Sequence, residues 1–238
     1  KLYRSFASQV MHPADMKQLE PLLEEATERM IAVEPMSFFS RDVPSDIARV
    51  VRQQNIDLVL MGYHVPVFGR ALLGGTVHRV LTGADCDVAV FVQKNYREPT
   101  KILVPFLGTT HDKLALQLAG RMARSTGAEI SIVHVTQAGD ATAQPAVERE
   151  FADPAEKAKV KVKVVTGRTP TEAVLEEAPH HDLMIIGVAE EWGLASSLLG
   201  LRAERIANES PVSMLIVRRF QSAGAAAAPA LSETVAAT

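Results

Sequence analysis

Short apolar runs, each closed by a glycine or a polar break, set the rhythm of this chain. Residues 57–61 read DLVLM and stop at Gly62, residues 101–107 read KILVPFL, and residues 182–186 read DLMII and stop at Gly187. Runs of this length without alternation are the pattern of strands buried on both faces of a parallel sheet. Residues 129–135 form a β-branched strand, and residues 87–92 and 213–217 two more. Val160, Val162 and Val164 alternate with Lys161 and Lys163, which predicts a strand with one wet face. Helical spacing fills the intervals. Ile47, Val50 and Val51 share one face of a short helix opened by Pro44 and Ser45, and Ala115, Leu118, Ala119 and Met122 share a face over residues 112–124. Gly127 is placed to end that helix, and Pro170 and Thr171 to open another. Nearer the start, residues 1–10 carry a weaker strand pattern, and a helix over about residues 21–30 begins where Pro21 is tolerable in a first turn. Residues 31–40 read as extended, with Phe38 and Phe39 near their end. Residues 137–145 form a loop rich in small residues, and residues 221–238 are alanine-rich without an apolar face, the pattern of a mobile tail.

The pattern occurs twice. Pro44 and Pro170, Gly74 and Gly200, and Arg79 and Arg205 stand 126 residues apart, while Asp57 and Asp182, and Gly62 and Gly187, stand 125 apart. One residue is lost before the buried strand and one is gained in the loop after it. The polar joint NYREPT at residues 95–100 separates the copies, so the expected units are residues 1–98 and 99–220, followed by the tail at 221–238. Carried backwards, the offset puts the first copy's counterpart of Lys101 about 25 residues before Lys1. The first copy is therefore expected to lack its opening strand and helix, and the chain, which has no initiator methionine, to be cut from something longer.

Composition removes several function classes. The 238 residues, 47% hydrophobic and 22% charged, can bury a real core as one large or two ordinary units. A net charge of −3 and a pI near 6.2 supply no basic field for nucleic acid or an acidic membrane. The single cysteine, Cys86, excludes a disulfide framework and a cysteine-rich metal site. No apolar run approaches the roughly 18 residues of a spanning helix, and no signal peptide is recognisable.

What remains chemically suggestive is the loop after residue 61. It carries Gly62, Gly69, Gly74 and Gly75 and delivers Thr76 to the start of a helix. The first N–H groups of a helix have no internal partner, and with the helix dipole they favour an anion such as phosphate. Glycine there lets backbone approach a ligand without a side chain intervening. The candidate nucleotide-binding residues are Gly62, Tyr63, His64, Gly74, Gly75, Thr76 and Val77.

From about Met30 to Arg218 these residues resemble the universal stress proteins. The likeness lies in the order of strands and helices, and in a loop written Gly, two residues, Gly, nine residues, Gly and then Ser or Thr. Gly62 matches the first glycine and Val65 stands at the second. Gly75 and Thr76 fit the family's spacing, whereas the internal repeat pairs Gly74 with Gly200, and either alignment leaves Thr76 as the hydroxyl donor. The resemblance implies an α/β fold of two tandem units, each a parallel five-stranded open sheet with helices on both faces. It further implies an adenine nucleotide held between the first strand's end and the loop: ATP, ADP or AMP, or a cyclic adenine nucleotide. No metal is expected beyond the Mg that accompanies a nucleotide. Family members include some that bind ATP and some that do not.

The second copy departs from the family's pattern. Glu190 replaces the second glycine, Leu201 the hydroxyl residue, and Leu107 an aspartate that in many members meets the nucleotide. Its weaker pocket would use Pro105, Phe106, Val135, Gly187 and Gly200. A carboxylate beside phosphate is repulsive and leucine neither donates nor accepts, so this copy is not expected to hold a triphosphate. Its expected role is to pair with the first copy, since family members commonly associate through their last strands, here residues 87–92 and 213–217. A homodimer is expected as well. The wording LLGGTVHRVLTGADCDVAVFV and ILVPFLGTTHDKLALQLAGRMAR also resembles the cytoplasmic tail that follows the membrane part of some bacterial cation/proton antiporters. That implies a regulatory module on the cytoplasmic side, tethered to the inner membrane as part of a longer protein.

Enzymatic readings fare poorly. GRALLGGT nearly writes a phosphate-binding P-loop, but Gly75 occupies the lysine position, and no GxGxxG, GxSxG or HExxH occurs. His180 and His181 are adjacent and cannot easily face one metal ion, which makes them a solvated loop pair. His64 is the one histidine with a candidate phosphate contact; His78, His111 and His134 are assigned to structure. Cys86 reads as a small buried residue. Glu24, Glu25, Glu148 and Glu150 are expected at the surface, and Trp192 to plug the second copy's loop. Two readings survive: a nucleotide sensor that shifts how the module meets a transporter, and a structural dimerisation module with a vestigial pocket.

Overall fold

In the computed structural model, which describes residues 13–36, 39–63, 75–136, 159–188 and 201–221, seven strands form one sheet. They are β1 (Leu58–Gly62), β2 (Asp87–Val92), β3 (Lys101–Phe106), β4 (Glu129–Thr136), β5 (Val160–Thr166), β6 (Leu183–Gly187) and β7 (Ser213–Arg218). Their order across the sheet is β1-β2-β7-β6-β3-β4-β5. The second copy supplies the five strands from β3 to β7, all parallel, and the first supplies β1 and β2, also parallel to each other. The expected strand at 1–10 and the loop at 137–145 lie outside the described residues, as do Val65, Gly69, Glu148, Glu150, Glu190, Trp192 and all but the first residue of the alanine-rich tail.

The chain divides into two compact units, residues 1–57 and 58–238. In the first, α1 (Pro13–Glu28) begins eight residues earlier than the periodicity predicts and carries Pro21 in its interior. The start is set by Pro13, whose missing N–H and fixed φ suit a first turn; Pro21 then forgoes one backbone bond. Residues 31–36, 39 and 40 form no strand, and Phe39 is 95% exposed. Helix α2 (Val43–Gln54) has Pro44 in its first turn and buries Val51, and Asn55 ends it in the left-handed region at φ 49°.

The second unit adds α3 (Gly75–Gly83), α4 (Thr110–Thr126), α5 (Pro170–Glu177), a 3₁₀ turn (Ala178–His180) and α6 (Leu201–Glu209). Helix α4 is fastened at both ends. Thr109 Oγ1 accepts the Asp112 N–H while the Asp112 carboxylate accepts the Thr109 N–H, and Gly127 closes the other end at φ 77°. Its Leu114, Ala115, Ala119 and Ala123 meet Ile102, Val104, Ile130, Ile132, Leu183 and Ile185 of the sheet in one core. The same capping-box arrangement, Thr169 with Glu172, opens α5.

Strand β1 departs from expectation. Leu58 is 36% and Leu60 66% exposed, so the run is not buried on both faces. Its repeat counterpart β6 is buried throughout, with Ile185 at 0%. The cause is position: β6 lies between β3 and β7 with α4 against it, whereas among the described residues β1 is a terminal strand with β2 as its neighbour.

The copies join through β2 and β7, the two strands expected to pair, which run antiparallel. The junction is symmetric in sequence. Asp87 Oδ1 accepts the Phe220 N–H at 2.8 Å, and its counterpart Ser213 accepts through Oγ the N–H of Lys94, the counterpart of Phe220, also at 2.8 Å. Each copy also presents a cation to the end of the other's last helix. Arg218 Nη2 donates to the carbonyls of Ala84 (2.6 Å) and Cys86 (3.0 Å), beyond α3. Lys94 Nζ donates to those of Ala207, Asn208 (3.2 Å) and Ser210 (2.6 Å), at the end of α6. Carbonyls at a helix C-terminus are orphaned and partly negative, which is what Lys94 satisfies at Ala207 and Asn208. The joint at 95–100 is anchored too: Asp182 accepts the N–H groups of Thr100 and Lys101, the Thr100 hydroxyl and the Arg97 guanidinium.

Candidate functional site

In an open sheet of parallel strands, ligands bind beyond the carboxyl ends of the strands, at the point where the strand order reverses. In the second copy that point lies between β3 and β6, because the chain runs outward to β4 and β5 and returns to the other side of β3. Pairing between β3 and β6 extends over Ile102 with Leu183 and Leu103 with Met184. Pro105, which has no N–H to give to a ladder, follows where that pairing stops. The crevice this leaves is occupied by the chain itself. Asp112, fully buried, accepts the N–H groups of Leu107 and Thr109 at 3.0 Å each through Oδ2. On its other side Gly187 comes so near that an added Cβ would stand 2.5 Å from Asp112 Oδ1 and 2.7 Å from the Asp112 nitrogen.

That geometry gives Gly187 a packing reason to be glycine and sets the Asp112 carboxylate against it. Phe106 is buried, and its carbonyl is 2.8 Å from Nδ1 of the buried His134, a contact that requires Nδ1 to carry the hydrogen. Pro105 is buried, Val135 half-buried, and Gly200 lies outside the described residues. Sequence reasoning missed Asp112 as part of this pocket. Its signal was present in Thr109-x-x-Asp112, the spacing of a capping box.

Of the first copy's candidates, Gly62 and Tyr63 lie at the end of β1, and Gly75, Thr76 and Val77 at the start of α3. Tyr63 continues the β1–β2 pairing by donating its N–H to the Phe91 carbonyl at 2.8 Å. The counterpart bond in the second copy, Val188 N–H to the Val217 carbonyl, is also 2.8 Å. Gly62 and Gly75 have nothing within 4 Å of an added Cβ among the described residues, unlike Gly187. Thr76 is exposed in the first turn of α3, the part of a helix whose N–H groups have no partner within the helix. Val77 buries its side chain, so any contact from it would come through backbone. His64 and Gly74 lie outside the described residues.

His111, His134 and His181 make structural contacts through their rings. His111 accepts the Arg219 N–H through Nδ1 at 3.0 Å, which requires the neutral ring; burial, then the Arg218 charge, push its pKa down. His181 is buried with Nδ1 3.0 Å from the Glu177 carbonyl, which corrects the expectation of a solvated pair, since only His180 is exposed. Its pKa too is lowered, by burial above all. Cys86 is buried and its thiol pKa raised by desolvation, which disfavours the reactive thiolate. Among the described residues no group of three or more His, Cys, Asp or Glu could hold a metal ion, and no helix is long and apolar enough to cross a membrane.

Comparison with known proteins gives a consistent picture. The family model described as the universal stress protein family matches residues 5–92 and again 99–218. The chain is similar to the Na(+)/H(+) antiporter NhaS5 of Synechocystis sp. (strain ATCC 27184 / PCC 6803 / Kazusa), 33% identical over 121 residues, covering 49% of this chain and 17% of the antiporter. It is similar also to the universal stress protein in the QAH/OAS sulfhydrylase 3′ region of Thermus aquaticus, 27% identical over 134 residues, covering 49% of this chain and 97% of that one. Among solved structures, a universal stress protein from Archaeoglobus fulgidus DSM 4304 superposes with a TM-score of 0.59 at 23% identity, over 92% of this chain and 85% of that chain. At that identity the likeness shows the fold.

Proposed function

The chain belongs to the universal stress protein family, and from that premise we propose that it is an adenine-nucleotide-binding regulatory module acting as part of a membrane cation/proton antiporter. The first copy is the binding site, formed by Gly62, Tyr63, His64, Gly74, Gly75, Thr76 and Val77, and the second is a degenerate partner. One observation carries the reading. Thr76 stands exposed in the first turn of α3, whereas the second copy's crevice is filled by Asp112 against Gly187. An anion entering the first copy meets a hydroxyl and helix N–H donors; one entering the second meets a carboxylate.

The antiporter assignment is supported by the likeness to NhaS5, which extends over 17% of that protein. ATP, ADP, AMP or a cyclic adenine nucleotide is the ligand class, and Mg would arrive with the phosphates. The module does no catalysis in this reading, since the loop has glycine where a P-loop lysine would reach the outer phosphates. Binding would shift how the module meets the transporter, on the cytoplasmic side of the membrane.

Equilibrium dialysis against ATP, ADP, AMP and cyclic adenine mono- and dinucleotides tests the site. Saturable binding that weakens about tenfold in Thr76→Val, the loss of one hydrogen bond to a charged group, supports it. Absence of binding by every nucleotide to a folded chain rejects it.

A second reading, a structural dimerisation module with a vestigial pocket, is favoured by the symmetric β2–β7 junction. It predicts that the double change Gly75→Glu and Thr76→Val leaves transport by the intact protein untouched.

A further inference from the structure

Helix α3 is nine residues long, about two and a half turns, and its first turn carries Gly75, Thr76 and Val77. Val77, Val80 and Leu81 bury one face of it, and β2 is the strand it packs on. Apolar contact is non-directional, so it sets the depth of a helix better than its slide along the sheet or its turn about its own axis. The directional hold lies beyond the other end. Residues 84–86 connect α3 to β2, with Ala84 and Cys86 buried, and the carbonyls of these two accept from Arg218 Nη2 at 2.6 and 3.0 Å. Arg218 is placed in turn by the ladder between the copies, where it stands opposite Val88. Its Nε is buried without a hydrogen-bond partner among the described residues. A buried donor left unpaired costs free energy, so the guanidinium sits where it serves the connection rather than where all its own donors are met.

We propose that Arg218, a residue of the second copy, is a positioning residue for the first copy's site: by gripping the Ala84 and Cys86 carbonyls it fixes where α3 lies, and so where Gly75, Thr76 and Val77 stand at the opposite end. A helix this short moves as one body, and binding groups must be held to within about 0.5 Å of their productive geometry. The inference rests on the nucleotide reading of the first copy, and it gives the second copy a task that needs no ligand of its own. The other cross-copy cation supplies the contrast. Lys94 Nζ donates to the carbonyls of Ala207, Asn208 and Ser210, so it steadies the end of α6 and leaves α3 alone. That an ammonium performs this task at α6 is the reason to expect Arg218→Lys to keep α3 in place.

The test compares Arg218→Met, Arg218→Lys and Lys94→Met with the parent chain. Equilibrium dialysis against ATP, ADP, AMP and cyclic AMP reads affinity, and a proton–nitrogen correlation spectrum without nucleotide reads the amide resonances of Thr76 and Val77. Arg218→Met is expected to weaken binding about fivefold and to move both resonances. Arg218→Lys should return both readouts to the parent values, and Lys94→Met should change neither. Undiminished affinity in a folded Arg218→Met chain, or an equal loss in Lys94→Met, overturns the proposal and leaves the nucleotide reading standing. If the parent binds none of the four nucleotides, that reading falls by itself. The resonances then decide the positioning role: moved by Arg218→Met alone they support it, and unmoved they overturn it. Where Arg218→Met does not fold, Arg218→Gln, which keeps a donor without the guanidinium's reach, takes its place under the same criteria.

Discussion

Val90 and Ile216 face each other at the centre of the antiparallel β2–β7 ladder, and each is the other's counterpart in the repeat. A ladder centred on a residue and its own equivalent is what two copies make when they meet about a two-fold axis. Both side chains are fully buried, Val90 at 0% and Ile216 at 1%. Ile216→Ala is therefore expected to cost about 2–5 kcal/mol, lost transfer energy plus a cavity at the join. Urea unfolding of the two proteins measures it.

The cross-copy cations are separable from that apolar centre. Lys94→Met keeps most of the aliphatic stem but leaves the carbonyls of Ala207, Asn208 and Ser210 without their donor. The expected loss is about 1–3 kcal/mol, with faster amide exchange concentrated at the end of α6. A change confined to the first copy's strands would contradict the assignment.

Glycines on the two sides of the repeat are expected to respond differently. Gly187→Ala puts a methyl group 2.5 Å from Asp112 Oδ1 and 2.7 Å from backbone, so α4 must shift and stability should fall by about 1–3 kcal/mol. Gly62→Ala meets nothing within 4 Å among the described residues and should lie within about 0.5 kcal/mol of the parent. Thermal unfolding of the two variants side by side decides the matter.

Acid should weaken the fold in two stages. His111 and His181 have folded pKa values below 6.5, so their contribution is complete above 6.5 and is lost as pH falls through the lowered folded values. Asp182, held at about 2 by the Thr100 hydroxyl first and by the Thr100 and Lys101 amides and Arg97, contributes above 3.8 and loses that contribution between 3.8 and about 2. His111→Asn retains an acceptor for the Arg219 N–H without titrating and should flatten the first stage. Asp182→Asn should flatten the second. Unfolding free energy against pH, from 8 down to 2, measures both.

The repeat, the buried runs of β3 and β6 and the end of α4 at Gly127 were legible in the residues because they depend on neighbours in sequence. Spacing of apolar positions sets which face of α4 can be buried, and Thr109, Asp112 and Gly127 act on backbone groups within a turn of themselves. The resemblance to the family, whose members commonly associate through their last strands, also singled out the strands that join the copies. Other features required distant residues to meet. DLVLM and DLMII are nearly the same local text, yet Leu60 is 66% exposed and Ile185 0%, because burial belongs to whatever packs alongside. Gly187 has the look of a loop glycine, and only the approach of α4 shows it to be the hollow into which Asp112 fits. His181 was hidden in the same way: adjacency to His180 suggested solvent, and tertiary packing turned one ring inward. Local chemistry determined the elements, and the order of strands in the sheet decided which surfaces are filled and which stand open.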